Sequence, residues 1–196
     1  MRRGLIFLAI FIAFVAIYTL SRHAIGPTTT STTIPSTTTT VVSSTSTIPA
    51  SAMCQGSGFS GVYNEGEGAA GTIYASITLT KATPGTCSVK GWPILTLQDK
   101  TGAILPINLS DIPSGNNAVR FSPAKANDAP TMLVLRQGSA VNFSLAYQDV
   151  PTNNTVCDNA LTVNVQFSTG GSSVPLTPPS AVQPCDNGKV WISPFY

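Results

Sequence analysis

The chain of 196 residues is 42% hydrophobic but only 9% charged, with 10 Lys/Arg against 8 Asp/Glu, one histidine and a formal net charge of +2. Arg2, Arg3 and Arg22 supply that excess, so the chain from Met53 onward is close to neutral, with seven basic residues against eight acidic ones. A near-neutral surface without a basic stripe excludes nucleic acid as a partner, because phosphates must be neutralised, and excludes a polybasic lipid-binding face.

Gly4 to Leu20 carries no charge over about 17 residues, the short end of the spanning range. As a helix it would rise about 26 Å, slightly less than a hydrocarbon core of about 30 Å. Arg2, Arg3 and Arg22 can snorkel to cover the difference. Two arginines precede the run and one follows it, which favours a cytoplasmic N-terminus and export of the remainder. Residues 1–26 are therefore expected to be a single-pass signal-anchor, with the membrane as a partner and the C-terminal part extracellular. The alternative is secretion after signal cleavage. The apolar run exceeds a usual signal core, however, and the best small-residue site, Ala24-Ile25-Gly26, is followed at once by Pro27. Arg2-Arg3-Gly4 before an apolar helix also matches an archaeal-type pilin signal.

Residues 27–52 are about two-thirds Ser and Thr, with Pro27, Pro35 and Pro49 spaced among them. So little apolar surface cannot offset chain entropy, and a disordered or extended stalk is expected. The composition suits an O-glycosylated spacer, with a reach on the order of 80 Å when extended.

Residues 53–196 have the size of one domain. Period-2 alternation recurs through them. Ile73, Ala75, Ile77 and Leu79 alternate with Tyr74, Ser76, Thr78 and Thr80. Val141, Phe143, Leu145 and Tyr147 alternate with Asn142, Ser144, Ala146 and Gln148, and Leu161 to Phe167 repeats the pattern. Shorter apolar segments lie at 94–97, 104–109, 132–135 and 190–192, and Gly/Pro turns separate them. No long stretch carries a helical apolar stripe. The expected fold is all-β, an immunoglobulin-like antiparallel β-sandwich, although the Cys…Trp…Cys pattern of a true immunoglobulin core is missing.

Cys54, Cys87, Cys157 and Cys185 all fall in this head, an even number on the oxidising side of a membrane, which reads as two disulfides. Their placement favours Cys54–Cys185, tying the ends, and Cys87–Cys157, joining two loops. The one histidine, His23, is beside the membrane segment, so no Cys/His zinc site can form in the head.

Several blocks together carry a family resemblance. They are the opening Cys54, Gly68-Ala69-Ala70-Gly71 before a strand, and Thr86-Cys87-Ser88-Val89-Lys90-Gly91-Trp92-Pro93. An Asp99…Gly102 turn, Leu135…Gly138-Ser139-Ala140, Cys157, Cys185 and Val190…Ser193-Pro194-Phe195 complete them. Over Cys54–Tyr196 the chain resembles the family catalogued as domain of unknown function 4232, secreted or lipid-anchored domains common in actinobacteria. The resemblance implies an extracytoplasmic β-sandwich and no reaction. The chain departs from the family pattern in having Lys81 where Asn is usual. Its Cys54 follows the Ser/Thr tract, so it is not a lipobox cysteine.

Candidate chemistry is sparse. Asn108, Asn142 and Asn153 begin N-glycosylation sequons. Glu65 and Glu67 are the one close carboxylate pair, the arrangement a glycosidase needs when the two groups flank a cleft. A calcium ion would draw on this same loop, on Asp111 with Asn116 and Asn117, or on Asp158 with Asn159, but no EF-hand spacing is present. Trp92, Trp191 and Tyr196 read as packing residues before ligand platforms. A serine or cysteine hydrolase lacks a histidine base. No catalytic residue, cofactor or metal is expected. The sequence-level reading is a membrane-anchored surface module with a non-catalytic binding or structural role and an extracellular protein or glycan as ligand. The alternatives are an extracellular hydrolase or carbohydrate-active domain, and a pilin-like filament subunit.

Overall fold

A computed structural model of the chain describes residues 52–113, 119–152 and 156–196. The expected anchor at 1–26 and all but the last residue of the stalk lie outside these. Among the described residues no helix is long and apolar enough to cross a membrane.

The head is all-β. The three strongest alternating segments are strands: β2 (Thr72–Lys81), β8 (Ala140–Gln148) and β9 (Thr162–Gln166). The shorter apolar segments supply β4 (Ile94–Gln98), β5 (Ile104–Leu105), β6 (Asn108–Asp111), β7 (Leu133–Arg136) and β11 (Lys189–Ile192). Three further strands, β1 (Phe59–Ala69), β3 (Thr86–Val89) and β10 (Ser173–Leu176), complete the set. One sheet has five strands in the order β1-β2-β8-β11-β6, a second has four in the order β10-β9-β4-β5, and β3 pairs with β7 alone. All pairings are antiparallel except β6 with β11.

The two larger sheets share one core, which makes the head a sandwich. Ala75, Ile77, Leu79, Val141, Phe143 and Leu145 from the five-stranded sheet join Leu95, Leu97, Val163, Val165, Val174 and Leu176 from the other. The inward positions of β2 and β8 are those that alternation selects, since side chains two apart share a face. Aromatic rings close one part of this core. Phe195 meets Phe143 edge-on at 5.8 Å and stacks on Phe167 at 5.4 Å, and Phe167 lies 4.5 Å from Phe59. Phe195 is held there by backbone bonds: Phe195 donates to the Gly91 carbonyl, and Tyr196 exchanges two bonds with Asn142.

β8 is buried on both faces because a second, smaller core covers the outer side of the five-stranded sheet. Ile112, Val119, Phe121 and Ala126 lie there on Ala146 and Trp191. The β1–β2 hairpin turns through Ala70 and Gly71, both at positive φ (50° and 78°), the primed turn that matches strand twist.

The disulfides are Cys54–Cys87 and Cys157–Cys185, which overturns the expected Cys54–Cys185 and Cys87–Cys157. Local pairing decides the matter. Met53 bridges Ser88 in parallel, and the Cys54 amide donates to the Ser88 carbonyl, so Cys54 runs alongside β3. Cys157 follows β8, and Cys185 opens the turn into β11, the strand that pairs with β8. Each bridge therefore joins segments that already lie side by side, with Cα–Cα distances of 4.9 and 4.3 Å.

Candidate functional site

The carboxylate pair is the place to begin. β1 pairs with β2 in regular register from Phe59 to Glu65, then slips by one residue before Gly68. Such a bulge puts two residues opposite one and turns the following side chain over. Glu65, still in register opposite Ala75, lines a pocket with Ile73 and Tyr147, on the interior side of the five-stranded sheet. Glu67 lines a different cleft with Tyr74, Ser76 and Ser144, on the outer side. The two glutamates that the sequence placed together do not share a site.

The outer cleft has a volume of about 430 Å³. Its floor is the outward face of β2 and β8, where Ser76 stands opposite Ser144 and Tyr74 opposite Ala146. Glu67 forms one wall and Arg120, Phe121 and Ser122 the other. The Asn127 side chain sets the second wall. Its oxygen accepts from the Phe121 amide and its nitrogen donates to the Phe121 carbonyl, both at 2.8 Å, as a neighbouring strand would. Phe121 meets Tyr74 edge-on at 6.4 Å. Farther along the floor the Ser144 and Tyr196 hydroxyls are 2.9 Å apart, and Lys125 lies over the Tyr196 ring at 5.0 Å. The cleft thus offers an acid, a guanidinium, hydroxyls and an aromatic surface, a set that suits a ligand with hydrogen-bonding groups of both signs and an apolar face.

The other candidates fall elsewhere. Trp92 packs on the main core and donates from its indole nitrogen to the Ile112 carbonyl at 2.8 Å, a structural role. Trp191 is buried in the smaller core under Lys189, whose ammonium is 4.8 Å from the ring. Asn108 is exposed on the edge strand β6. Asn142 sits between β2 and the C-terminal residues, and its side-chain oxygen accepts from the Thr78 hydroxyl at 2.8 Å. Asn153 lies outside the described residues.

Of the proposed cation ligands, Asn116 and Asn117 are outside the described residues, and burial pushes the Asp111 carboxyl up from its usual range. Asp158 and Asn159 share a cleft with Lys100 and Asp99, and the Asn159 oxygen is taken by the Gln183 amide. Asp99 instead caps its own turn. It accepts from the Thr101 hydroxyl and amide and from the Ala103 amide, and the Thr101 hydroxyl bond leads in holding its carboxyl below the ordinary value. Among the described residues no three His, Cys, Asp or Glu side chains could hold one metal ion.

Tyr74, Ser76 and Ser144 were readable as the outward half of an alternation. Arg120 and Phe121 were not, because they lie in irregular chain fixed by Asn127 and by packing on β8 and β11.

A family model described as a domain of unknown function (DUF4232) matches residues 54–196. No curated protein matches, and no solved structure does.

Proposed function

The chain belongs to this family of unknown function, and from that premise we propose that it is a non-catalytic surface module, held by residues 1–26 in a membrane and presenting its head outside the cell. The observation that carries the reading is the outer cleft, an aromatic and hydroxyl-bearing floor between Glu67 and Arg120 on a sheet face stabilised by its own small core. The stalk composition supports presentation at a distance from the bilayer, and two disulfides support an oxidising compartment. A glycan fits the cleft best, since sugars combine hydroxyl donors and acceptors with an apolar ring face.

Strand order supports an immunoglobulin-like assignment. β1-β2-β8 against β10-β9-β4-β5 reproduces the A-B-E and G-F-C-C′ arrangement of that fold. The departure is β11, which occupies the place beside the E-equivalent strand where D would stand. The hydrolase alternative is left without the carboxylate pair that prompted it.

The test is retention of the purified full chain on the envelope fraction of its own cells. Wild-type protein should bind, and Arg120→Ala and Glu67→Gln should bind less while melting at the same temperature. Equal binding by both variants, or recovery of the native head from the cytosol, would sink the proposal. Release of binding by protease but not by glycosidase would move the ligand from glycan to protein.

A further inference from the structure

Arg120 stands in the wall of the outer cleft with its donors uncommitted. Its neighbours Val119 and Phe121 are 3% and 6% exposed, both sunk in the smaller core. With both neighbours turned inward, Arg120 is exposed and lines the cleft instead. The Asn127 side chain clamps the next residue, Phe121, at its amide and its carbonyl, both at 2.8 Å. The base of the arginine is thereby fixed, while among the described residues its guanidinium makes no hydrogen bond or ion pair. Glu67, exposed in the opposite wall, has no partner among them either. Two opposite charges thus line one cleft without pairing.

The chemistry of each wall says what it can hold. A guanidinium only donates, keeps its charge at all accessible pH, and matches a carboxylate through a planar fork of parallel N–H bonds. A sugar hydroxyl offers that fork one acceptor at a time. Glu67 only accepts, and hydroxyls satisfy it well. Between the walls, the Tyr74 ring meets Phe121 edge-on and gives an apolar surface, beside a Ser76 hydroxyl that can donate or accept. Lys125, the other cation near the floor, lies over the Tyr196 ring. A ligand that meets all of this has an anion at one end, hydroxyls at the other and an apolar face between them. A uronic acid is built in that way, because its carboxylate lies across the ring from a pair of hydroxyls. An amino sugar would suit Glu67 but leave the guanidinium with hydroxyls alone.

We infer that the glycan taken by the outer cleft is an acidic one, presenting a uronic acid whose carboxylate is held by the fork of Arg120. Its hydroxyls across the ring face Glu67, and its apolar face lies on Tyr74. This inference rests on the glycan reading of the cleft and narrows it to one class of sugar, so a neutral glycan in the same place would defeat the inference and leave the reading intact.

The experiment is a titration of the nitrogen-labelled full chain in a sugar-free non-ionic detergent. Nuclear magnetic resonance follows the Arg120 side-chain Nε–H and the Phe121 amide. The probes are methyl glucuronide, methyl glucoside, methyl glucosaminide and sodium acetate. The glucuronide should shift both signals saturably and bind about tenfold or more tighter than the glucoside, the gain expected of a charge-assisted bidentate pair. Arg120→Gln should bring these two sugars to equal affinity, and Arg120→Lys, which keeps the charge without the fork, should retain only part of the preference. Equal binding of glucuronide and glucoside by the wild type would overturn the inference and leave a neutral glycan in the cleft. Tighter binding of the glucosaminide would overturn it in favour of Glu67 as the group that reads charge. Acetate binding as tightly as the glucuronide, or no saturable shift with any sugar, would remove the glycan reading as well. A preference that survives Arg120→Gln in folded protein would overturn the assignment to Arg120. If that variant fails to fold, Arg120→Lys decides, since an undiminished preference there rules out the fork.

Discussion

Glu65 and Glu67 are two residues apart in the chain and stand on opposite faces of the five-stranded sheet, Glu65 beside Ile73 and Tyr147, Glu67 beside Tyr74 and Ser144. The bulge between Glu65 and Gly68 separates them, and it depends on Gly66. A Cβ at that position would meet the Tyr74 carbonyl oxygen at 2.5 Å, and backbone cannot yield as a flexible side chain would. Gly66→Ala is therefore expected to cost about 1–3 kcal/mol and to displace Glu67 from the outer cleft. Denaturant unfolding should show a lower midpoint with an unchanged slope. A midpoint equal to that of the wild type would mean that the bulge relaxes at no cost.

The disulfides close loops of similar length, with sequence separations of 33 and 28. In the chain-entropy description each contributes about 3.7 kcal/mol. Replacing Cys54 and Cys87 together by serine, or Cys157 and Cys185 together, should lower stability by about that amount, and each pair should leave the other bridge intact. Peptide mapping without reduction checks the pairing: fragments linking Cys54 to Cys87 and Cys157 to Cys185 are expected, and any link between the pairs would refute it.

How much of this was legible in the sequence follows from what each segment's pattern encodes. β2, β8 and β9 could be read because their inward residues are uniformly apolar and their outward ones polar. β1 could not, since Gly61, Gly66 and Gly68 interrupt its alternation, and β10 carries Pro175, a residue tolerated on an edge strand. Leu161 matched the inward pattern of β9 yet is 44% exposed, because regular pairing starts one residue later. The cysteine pairing was misjudged because composition places thiols in sequence but not beside one another. An isolated backbone bridge between Met53 and Ser88 decides the first of them, and that bridge has no sequence signature. The outer cleft was half visible, in the polar face of two strands, and half hidden, in a wall held by one asparagine side chain.

Lys81 is 5% exposed at the end of β2. Its ammonium donates to the Thr83 carbonyl and hydroxyl at 2.8 Å and to the Pro84 carbonyl at 3.3 Å, and it lies 5.9 Å from the Phe59 ring. The lysine thus supplies the donor that fastens the following turn. Lys81→Met keeps the stem and removes the donor, and is expected to cost about 1 kcal/mol. The modest size reflects an exposed turn whose carbonyls water can reach. Thermal melts of the two proteins at one pH give the comparison, and a more stable Met variant would show the ammonium to be a burden.

The sequons are not equivalent. Asn108 is exposed on an edge strand, whereas the Asn142 side chain accepts from Thr78 and its backbone pairs with Tyr196. A transferase acting on folded chain would reach Asn108 and miss Asn142. Expression in a cell with N-glycosylation machinery, followed by glycopeptide mass analysis, should find sugar on Asn108 and none on Asn142. Occupancy at Asn142 would require its modification before β8 closes.

Tyr63 and Tyr147 link stability to alkaline pH. Burial leads in raising both phenols, assisted at Tyr147 by Glu65 and Asp149, which push it up to about 12. An acid whose folded value lies above its unfolded one stays neutral in the native state while the unfolded chain ionises. Stability should therefore be level below about pH 10, the ordinary tyrosine value, and fall as pH rises from there toward the folded values. Circular dichroism and phenolate absorbance recorded together should show the signal of these two rings arriving with unfolding and not ahead of it. Tyr147→Phe should flatten the alkaline slope. Tyr63→Phe should do so too and, by removing a hydroxyl that has no partner, raise stability at neutral pH by about 1 kcal/mol. A Tyr63→Phe protein less stable than the wild type would show that the hydroxyl is satisfied in the native state.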